Sequence, residues 1–222
     1  WVWDDTRIRK LIASITQNFP VGAAMFLEYG NENVRFKYRM IAGTPSVDVQ
    51  PEQLVLDGQQ RLTSIYSALC SPKPVKTKTD KGDAIFRYYY IDIAKALDES
   101  TGREDAIISV PHTKQVTSDF GRNIEIDVTT AELEYEKKLF PLNIILDSVK
   151  ATEWQIGYMQ YHQADQIICQ EYLRFMSEII QTVSHYQIPI ISLNKDTPKE
   201  AVCQVFENVN QGGVSLTVFE LV

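Results

Sequence analysis

The pattern of apolar and polar positions along the chain predicts a mixture of amphipathic helices and short strands without regular β–α–β alternation. Ile8, Leu11, Ile12 and Ile15 recur at helical spacing after Trp3-Asp4-Asp5, with Asp4 or Asp5 as N-cap and Pro20 as the stop. Val21–Glu28 reads as a strand. Val34, Phe36, Tyr38 and Met40 alternate with Arg35, Lys37 and Arg39 as in a half-exposed strand. Leu54-Val55-Leu56 suits a buried strand; Asp57-Gly58 turns the chain, and Leu62, Ile65, Tyr66 and Leu69 begin a helix.

Ser71–Asp83, rich in Pro, Lys and Thr, is expected to be a surface connection. Phe86–Ile93 and Ala106–Val110 are expected strands. The three consecutive tyrosines Tyr88, Tyr89 and Tyr90 suit sheet-face packing, with stacking on a base as the alternative. Thr129–Glu132 resembles a helix start, and Leu142–Leu146 suits a strand or a turn. A longer helical section is expected from Thr152, with Thr152 and Gln155 as a capping-box pair. Its core stripe is Ile168, Tyr172, Phe175, Met176, Ile179 and Val183. Ile188–Leu193 returns as a short buried strand, its proline at the strand's beginning or on an edge. Thr197-Pro198-Lys199-Glu200, with Thr197 as N-cap, Pro198 at N1 and Glu200 at N3, starts a helix that Gln211-Gly212-Gly213 ends, and Thr217–Glu220 starts another. The expected fold class is α+β. A mixed lobe over residues 1–150 carries the Asp57–Arg61 turn, and a helical section over 151–222 returns one strand to it.

Composition narrows the partners. A net charge of −7 disfavours unassisted gripping of a phosphate backbone, and the basic clusters Arg7, Arg9, Lys10 and Arg35, Lys37, Arg39 suit solvated faces. No apolar run is long enough to span a membrane, no signal peptide is visible, and a cytoplasmic location is expected. The first residue is Trp1, which suggests a segment of a larger chain. Cys70, Cys169 and Cys203 are far apart and read as small buried hydrophobes; His112, His162 and His185 show no ligand spacing.

The densest chemistry lies in Asp57-Gly58-Gln59-Gln60-Arg61. A helix N-terminus leaves N–H groups unpaired and attracts anions, and Gly58 permits close approach. A cation there is opposed by the helix macrodipole, so Arg61 makes sense beside a phosphate or carboxylate. Gln59 and Gln60 add amide donors. Equally, Asp57 reads as an N-cap with Gln60 at N3 completing a capping box.

Two separated motifs carry a resemblance. Val55–Thr63 (VLDGQQRLT) and Phe206–Leu221 (FENVNQGGVSLTVFEL), together with Trp3 and Ser14–Gly22, resemble the N-terminal nucleotidase domain of GmrSD-type restriction proteins. The core of that domain is similar to the ParB and sulfiredoxin fold. The resemblance implies nucleoside triphosphate hydrolysis coupled to defence against phage or modified DNA, with Mg2+ as companion ion. It also implies DNA contact through the full-length protein and a C-terminal or separate HNH-type nuclease domain. Oligomeric state stays open. Sulfiredoxin chemistry needs a turn cysteine where this chain has Gln59, so that activity is not expected.

On this reading Asp57 and Arg61 are the catalytic residues, and Gly58, Gln59, Gln60, Arg61, Asn208 and Asn210 bind nucleotide. Arg61 would act as a phosphate clamp, while Asp57 would hold a divalent ion or orient the attacking water. For Asn208 and Asn210, helix C-capping is the competing role. Two further readings stay open: a non-catalytic DNA-binding or adaptor module using the same anion pocket, and a purely structural Asp57–Arg61 pair.

Overall fold

The computed structural model describes residues 2–31, 37–46 and 48–210, with backbone alone for 120 and 206–210. In chain order the elements are α1 (Asp5–Thr16), β1 (Ala24–Glu28), β2 (Gln53–Asp57), α2 (Gln59–Leu69), β3 (Val75–Lys78), β4 (Ala84–Asp92), α3 (Ile93–Leu97), α4 (Arg103–Ala106) and β5 (Ile107–Pro111). There follow β6 (Gln115–Ser118), β7 (Asn123–Asp127), α5 (Ala131–Glu136), β8 (Leu139–Pro141), α6 (Ser148–Tyr161), α7 (Gln166–Phe175), α8 (Gln181–Ser184), β9 (Ile190–Leu193) and α9 (Lys199–Asn210). The fold is α+β. It divides into two units, one of residues 1–21 and 64–186 and the other of 22–63 and 187–222.

The larger unit holds the main core. Asp4 caps α1, its carboxylate accepting from Arg7 N–H at 2.8 Å, and Ile8, Leu11, Ile12 and Ile15 are buried along one stripe. The helix ends before Pro20 is reached, with Asn18 in the left-handed region at φ 57°. Strand β4 pairs antiparallel with β3, β5 and β8. Its period of two sends consecutive tyrosines to opposite faces. Tyr89 packs into the main core and donates to Asp5 at 2.8 Å, while Tyr88 and Tyr90 join a smaller cluster with Val110, Val128 and Leu139. Tyr172, Phe175, Ile179 and Val183 are buried, and Ile168 and Met176 pack against the same core, as the stripe predicts. A π-turn at Met176–Ile180 lies between α7 and α8.

Several expectations are corrected. Part of the supposed connection Ser71–Asp83 is strand β3; its short Val-Lys-Thr-Lys run becomes a strand through antiparallel pairing with β4. The long helix begins at Ser148, capped by Asp147, whose carboxylate accepts from Lys150 N–H at 3.1 Å. Thr152 therefore lies inside the helix, where its hydroxyl donates to Ser148 O at 2.7 Å instead of capping. Leu142–Ile144 forms a 3-10 turn. Cys70 is exposed and Cys169 and Cys203 are partly so, so none is a buried hydrophobe. Residues 37–40 carry no strand, and 34–36 lie outside the described residues, as do Gln211–Gly213 and Thr217–Glu220.

The smaller unit is built on a three-stranded sheet of order β2-β1-β9. The central β1 runs antiparallel to β2 and parallel to β9. Met25 and Leu27 on β1 are fully buried, whereas β2 is half-buried and Ile190 and Ile191 of β9 are exposed, so neither flanking strand is the buried strand expected. Asn31 donates to Thr197 O at 2.9 Å, and the Glu28 carboxylate accepts from Lys195 N–H at 3.1 Å. Helix α9 packs against β2, and its first hydrogen bond, from Val202 N–H, ends on Pro198 O. The cap is thus Pro198, one residue later than the expected Thr197.

Candidate functional site

Strand β2 delivers Asp57 to the edge of the turn, and α2 starts two residues later. Leu62 N–H bonds Gly58 O at 2.9 Å, so the carbonyl that opens the helix belongs to Gly58. Asp57 is therefore not the N-cap, and the capping box with Gln60 at N3 does not form; Gln59, Gln60 and Arg61 occupy N1, N2 and N3. Gly58 has φ 89°, in the left-handed region that disfavours a side chain. A Cβ there would also lie 3.2 Å from the Cβ of Ala24. The glycine lets the start of α2 press onto the start of β1.

Arg61 is seated on that same strand start. Its Nη1 donates to Ala23 O at 2.8 Å, and a Cβ on Gly22 would stand 3.2 Å from Nη2. Gly22, at φ 89°, leaves the space the guanidinium fills. The planar fork is thus held by one backbone bond in the first turn of a helix, and no carboxylate pairs with it among the described residues. The Asp57 carboxylate likewise makes no side-chain hydrogen bond or ion pair among them. An intradomain Asp57–Arg61 pair is therefore absent there, and the purely structural reading loses its central contact.

Gln59 turns back, donating from Nε2 to Val55 O at 2.9 Å at an exposed position. Gln60 occupies the second helical position and has a partner of its own. Asn208 and Asn210 fall in the last turn of α9, and their side chains lie outside the described residues. The seat formed by Gly22, Ala23 and Ala24 is what sequence reasoning missed. Its signal is the run of small residues after Pro20, which lets another segment's backbone and guanidinium approach closely.

The arrangement places four backbone N–H groups of a helix start, one fixed guanidinium and one carboxylate unpaired among the described residues within five consecutive residues. Such a set suits an anion that carries a cation with it. No group of three His, Cys, Asp or Glu side chains that could hold a metal by themselves is found among the described residues.

A family model for the GmrSD restriction endonuclease N-terminal domain matches residues 1–222. The chain belongs to that family. This GmrSD N-terminal domain is also similar to the uncharacterized protein MJ0686 of Methanocaldococcus jannaschii, 28% identical over an alignment of 229 positions. The alignment covers 100% of the chain and 36% of the relative, so the chain spans about a third of that protein's length. Family membership makes it a restriction-system domain. Among the described residues, no helix is long and apolar enough to cross a membrane.

Proposed function

We propose that this domain binds and hydrolyses a nucleoside triphosphate at the Asp57–Arg61 turn, as the regulatory part of a restriction system that acts on phage or modified DNA. One observation carries the reading. Arg61 is fixed at a helix N-terminus by Ala23 O yet is not neutralised by a carboxylate among the described residues. A cation held against the helix dipole gains most when a phosphate is present to receive it.

The turn divides the work. Backbone N–H groups from Gly58 to Arg61 receive phosphate oxygens, the guanidinium spans two of them as a planar fork, and Asp57 faces the developing negative charge. A carboxylate beside phosphate oxygens is repelled unless a cation intervenes or it orients the attacking water. Mg2+ fits this donor set: it takes hard oxygen ligands, commonly one or two carboxylates completed by substrate phosphates and water. Asp57 is the residue that would hold it, and the ion would supply charge neutralisation at the phosphates. Asn208 and Asn210 would contact the nucleotide from the end of α9.

DNA contact and cleavage belong to the longer protein, through an HNH-type nuclease domain in the same chain or a separate one. The isolated domain is expected to leave modified and unmodified plasmid uncut, since phosphodiester hydrolysis commonly requires bound metal or an equivalent acid–base set. Nicking that co-purifies with the domain and disappears in Asp57→Ala would overturn that expectation.

The deciding experiment is equilibrium nucleotide binding with and without Mg2+, alongside phosphate release. Binding and release that both fall in Arg61→Ala support the proposal. Binding of DNA without any nucleotide affinity would replace it with the adaptor reading, in which the same turn receives a backbone phosphate.

A further inference from the structure

Far along the chain from the glycine turn, and wholly within the larger unit, lies a second polar constellation. Its centre is Glu134 on α5, a helix whose cap is Thr130. The residue is 6% exposed. Tyr90 O–H donates to one carboxylate oxygen at 3.1 Å, and the Trp154 indole N–H donates to the other at 3.0 Å. Burial pushes the carboxyl upward, while the bonds from Trp154, Lys114 and Tyr90 pull it back. Each oxygen of a carboxylate has two acceptor positions, so neither is exhausted by one neutral donor.

Lys114 stands beside it, its Nζ 3.7 Å from Glu134 Oε1 and 5.7 Å from the centre of the Tyr88 ring. The lysine occupies the turn between β5 and β6 at φ 60°, a region that favours glycine. Two backbone bonds hold it there: Lys114 N–H to Pro111 O at 2.8 Å, and Val128 N–H to Lys114 O at 3.0 Å.

These groups border a cavity of about 420 Å³, with Tyr88, Tyr90, Tyr135 and Trp154 among its walls. Gly157 on α6 provides the room into which Tyr135 closes. The chemistry selects the ligand class. A carboxylate ligand meets the charge of Glu134. A simple amine satisfies Glu134 but meets Lys114. A flat heterocycle carrying an N–H donor beside an acceptor satisfies both, and its faces suit aromatic walls. We infer that this cavity is a binding site for an amino-bearing nucleobase, its exocyclic N–H group donating to Glu134 and its adjacent ring acceptor receiving Lys114. The same edge is presented by a free nucleoside or by an unstacked base in a single strand.

The inference is independent of the phosphate reading of the glycine turn, and its test uses probes without phosphate. Cytidine and uridine have nearly the same shape but exchange donor and acceptor on this edge. Calorimetry on the whole chain is expected to show cytidine binding about tenfold tighter than uridine, the scale of one good base contact. Arg61→Ala leaves that preference unchanged. Glu134→Gln abolishes it. Lys114→Gly is the second variant: glycine accepts the left-handed turn, so the fold is retained while cytidine affinity falls about tenfold. Competition by oligo-dC but not oligo-dT assigns the base to a strand, whereas failure of both to displace cytidine assigns it to a free nucleoside. Undetectable cytidine binding, equal affinity for cytidine and uridine, or unchanged affinity in a folded Lys114→Gly variant would overturn the inference.

Discussion

The two polar centres of this domain treat charge in opposite ways. Around Glu134, the protein supplies partners from its own side chains: a phenol, an indole and an ammonium group converge on one buried carboxylate. At the glycine turn, Arg61 is held by a backbone carbonyl and Asp57 by no side chain among the described residues. A converged network holds its geometry with or without a ligand in its remaining acceptor positions, and removing one member leaves buried donors unmet. An unpaired turn contributes little to folding and keeps its charges for whatever enters. Stability measurements and functional measurements should therefore separate these centres.

The largest expected effect is on turnover at the turn. Asp57→Asn keeps the side-chain shape and removes the charge, so phosphate release should fall by about 10²–10⁴-fold, the range for a positioned catalytic group. Melting should be unaffected, because Asp57 does not cap α2 and its side chain pairs with no other among the described residues. Unaltered turnover would reduce the carboxylate to a bystander. Next is the converse experiment. Glu134→Ala strands the Tyr90 hydroxyl and the Trp154 N–H, and thermal or denaturant unfolding should report a loss of roughly 2–6 kcal/mol from two unmet donors. A negligible change would mean water or a rearranged side chain replaces the carboxylate, and the contrast would collapse.

How much of this contrast was legible in the sequence depends on how local each feature is. The Leu54–Leu69 strand, turn and helix, the Asp4 cap and the Tyr172–Val183 stripe were legible because each is fixed by neighbours within two turns of chain. Strand β3 was not, since four residues of Val-Lys-Thr-Lys become a strand only against β4. Thr152 misled for a related reason. Its capping pattern is genuine, but Asp147 offers an earlier cap and the helix runs through. At the site, the motif residues were visible, whereas their seat on Gly22, Ala23 and Ala24 was not, because it is made by a strand from elsewhere in the sequence. Glu134 is one of two acids in the first turn of α5, and only its burial marks it.

A smaller effect is expected at Arg61. Arg61→Ala should weaken nucleotide binding by roughly 1.5–3 kcal/mol, as for other charge-assisted hydrogen bonds. Arg61→Lys should not restore it, because an ammonium group is a point charge without the planar fork. If the lysine variant binds as tightly as the parent in titration, the arginine supplies a general positive field only.

The smallest effect is a pH slope. The Glu134 carboxyl is raised above its ordinary value of 4.5 by burial, so the folded state holds that proton more tightly than the unfolded chain. Its contribution is present below pH 4.5 and is lost as pH rises through the folded value. Chemical unfolding of the parent and Glu134→Gln across that range should show the parent losing ground steadily to the glutamine variant above pH 4.5. Parallel curves would mean the buried acid titrates as it does in water.

The parallel pairing of β1 with β9 has a consequence for how the domain is made. Asn31 and Thr197, joined by a hydrogen bond, are 166 positions apart. At ordinary elongation rates the ribosome needs on the order of ten seconds to travel that far. Through that interval one edge of β1 waits without its neighbour, while residues 64–186 of the larger unit are synthesised. A nascent chain released before Leu193 would carry the whole glycine-turn motif without the completed sheet on which Arg61 is seated. Of the two units, the order of synthesis makes the smaller one the last to be completed within these residues.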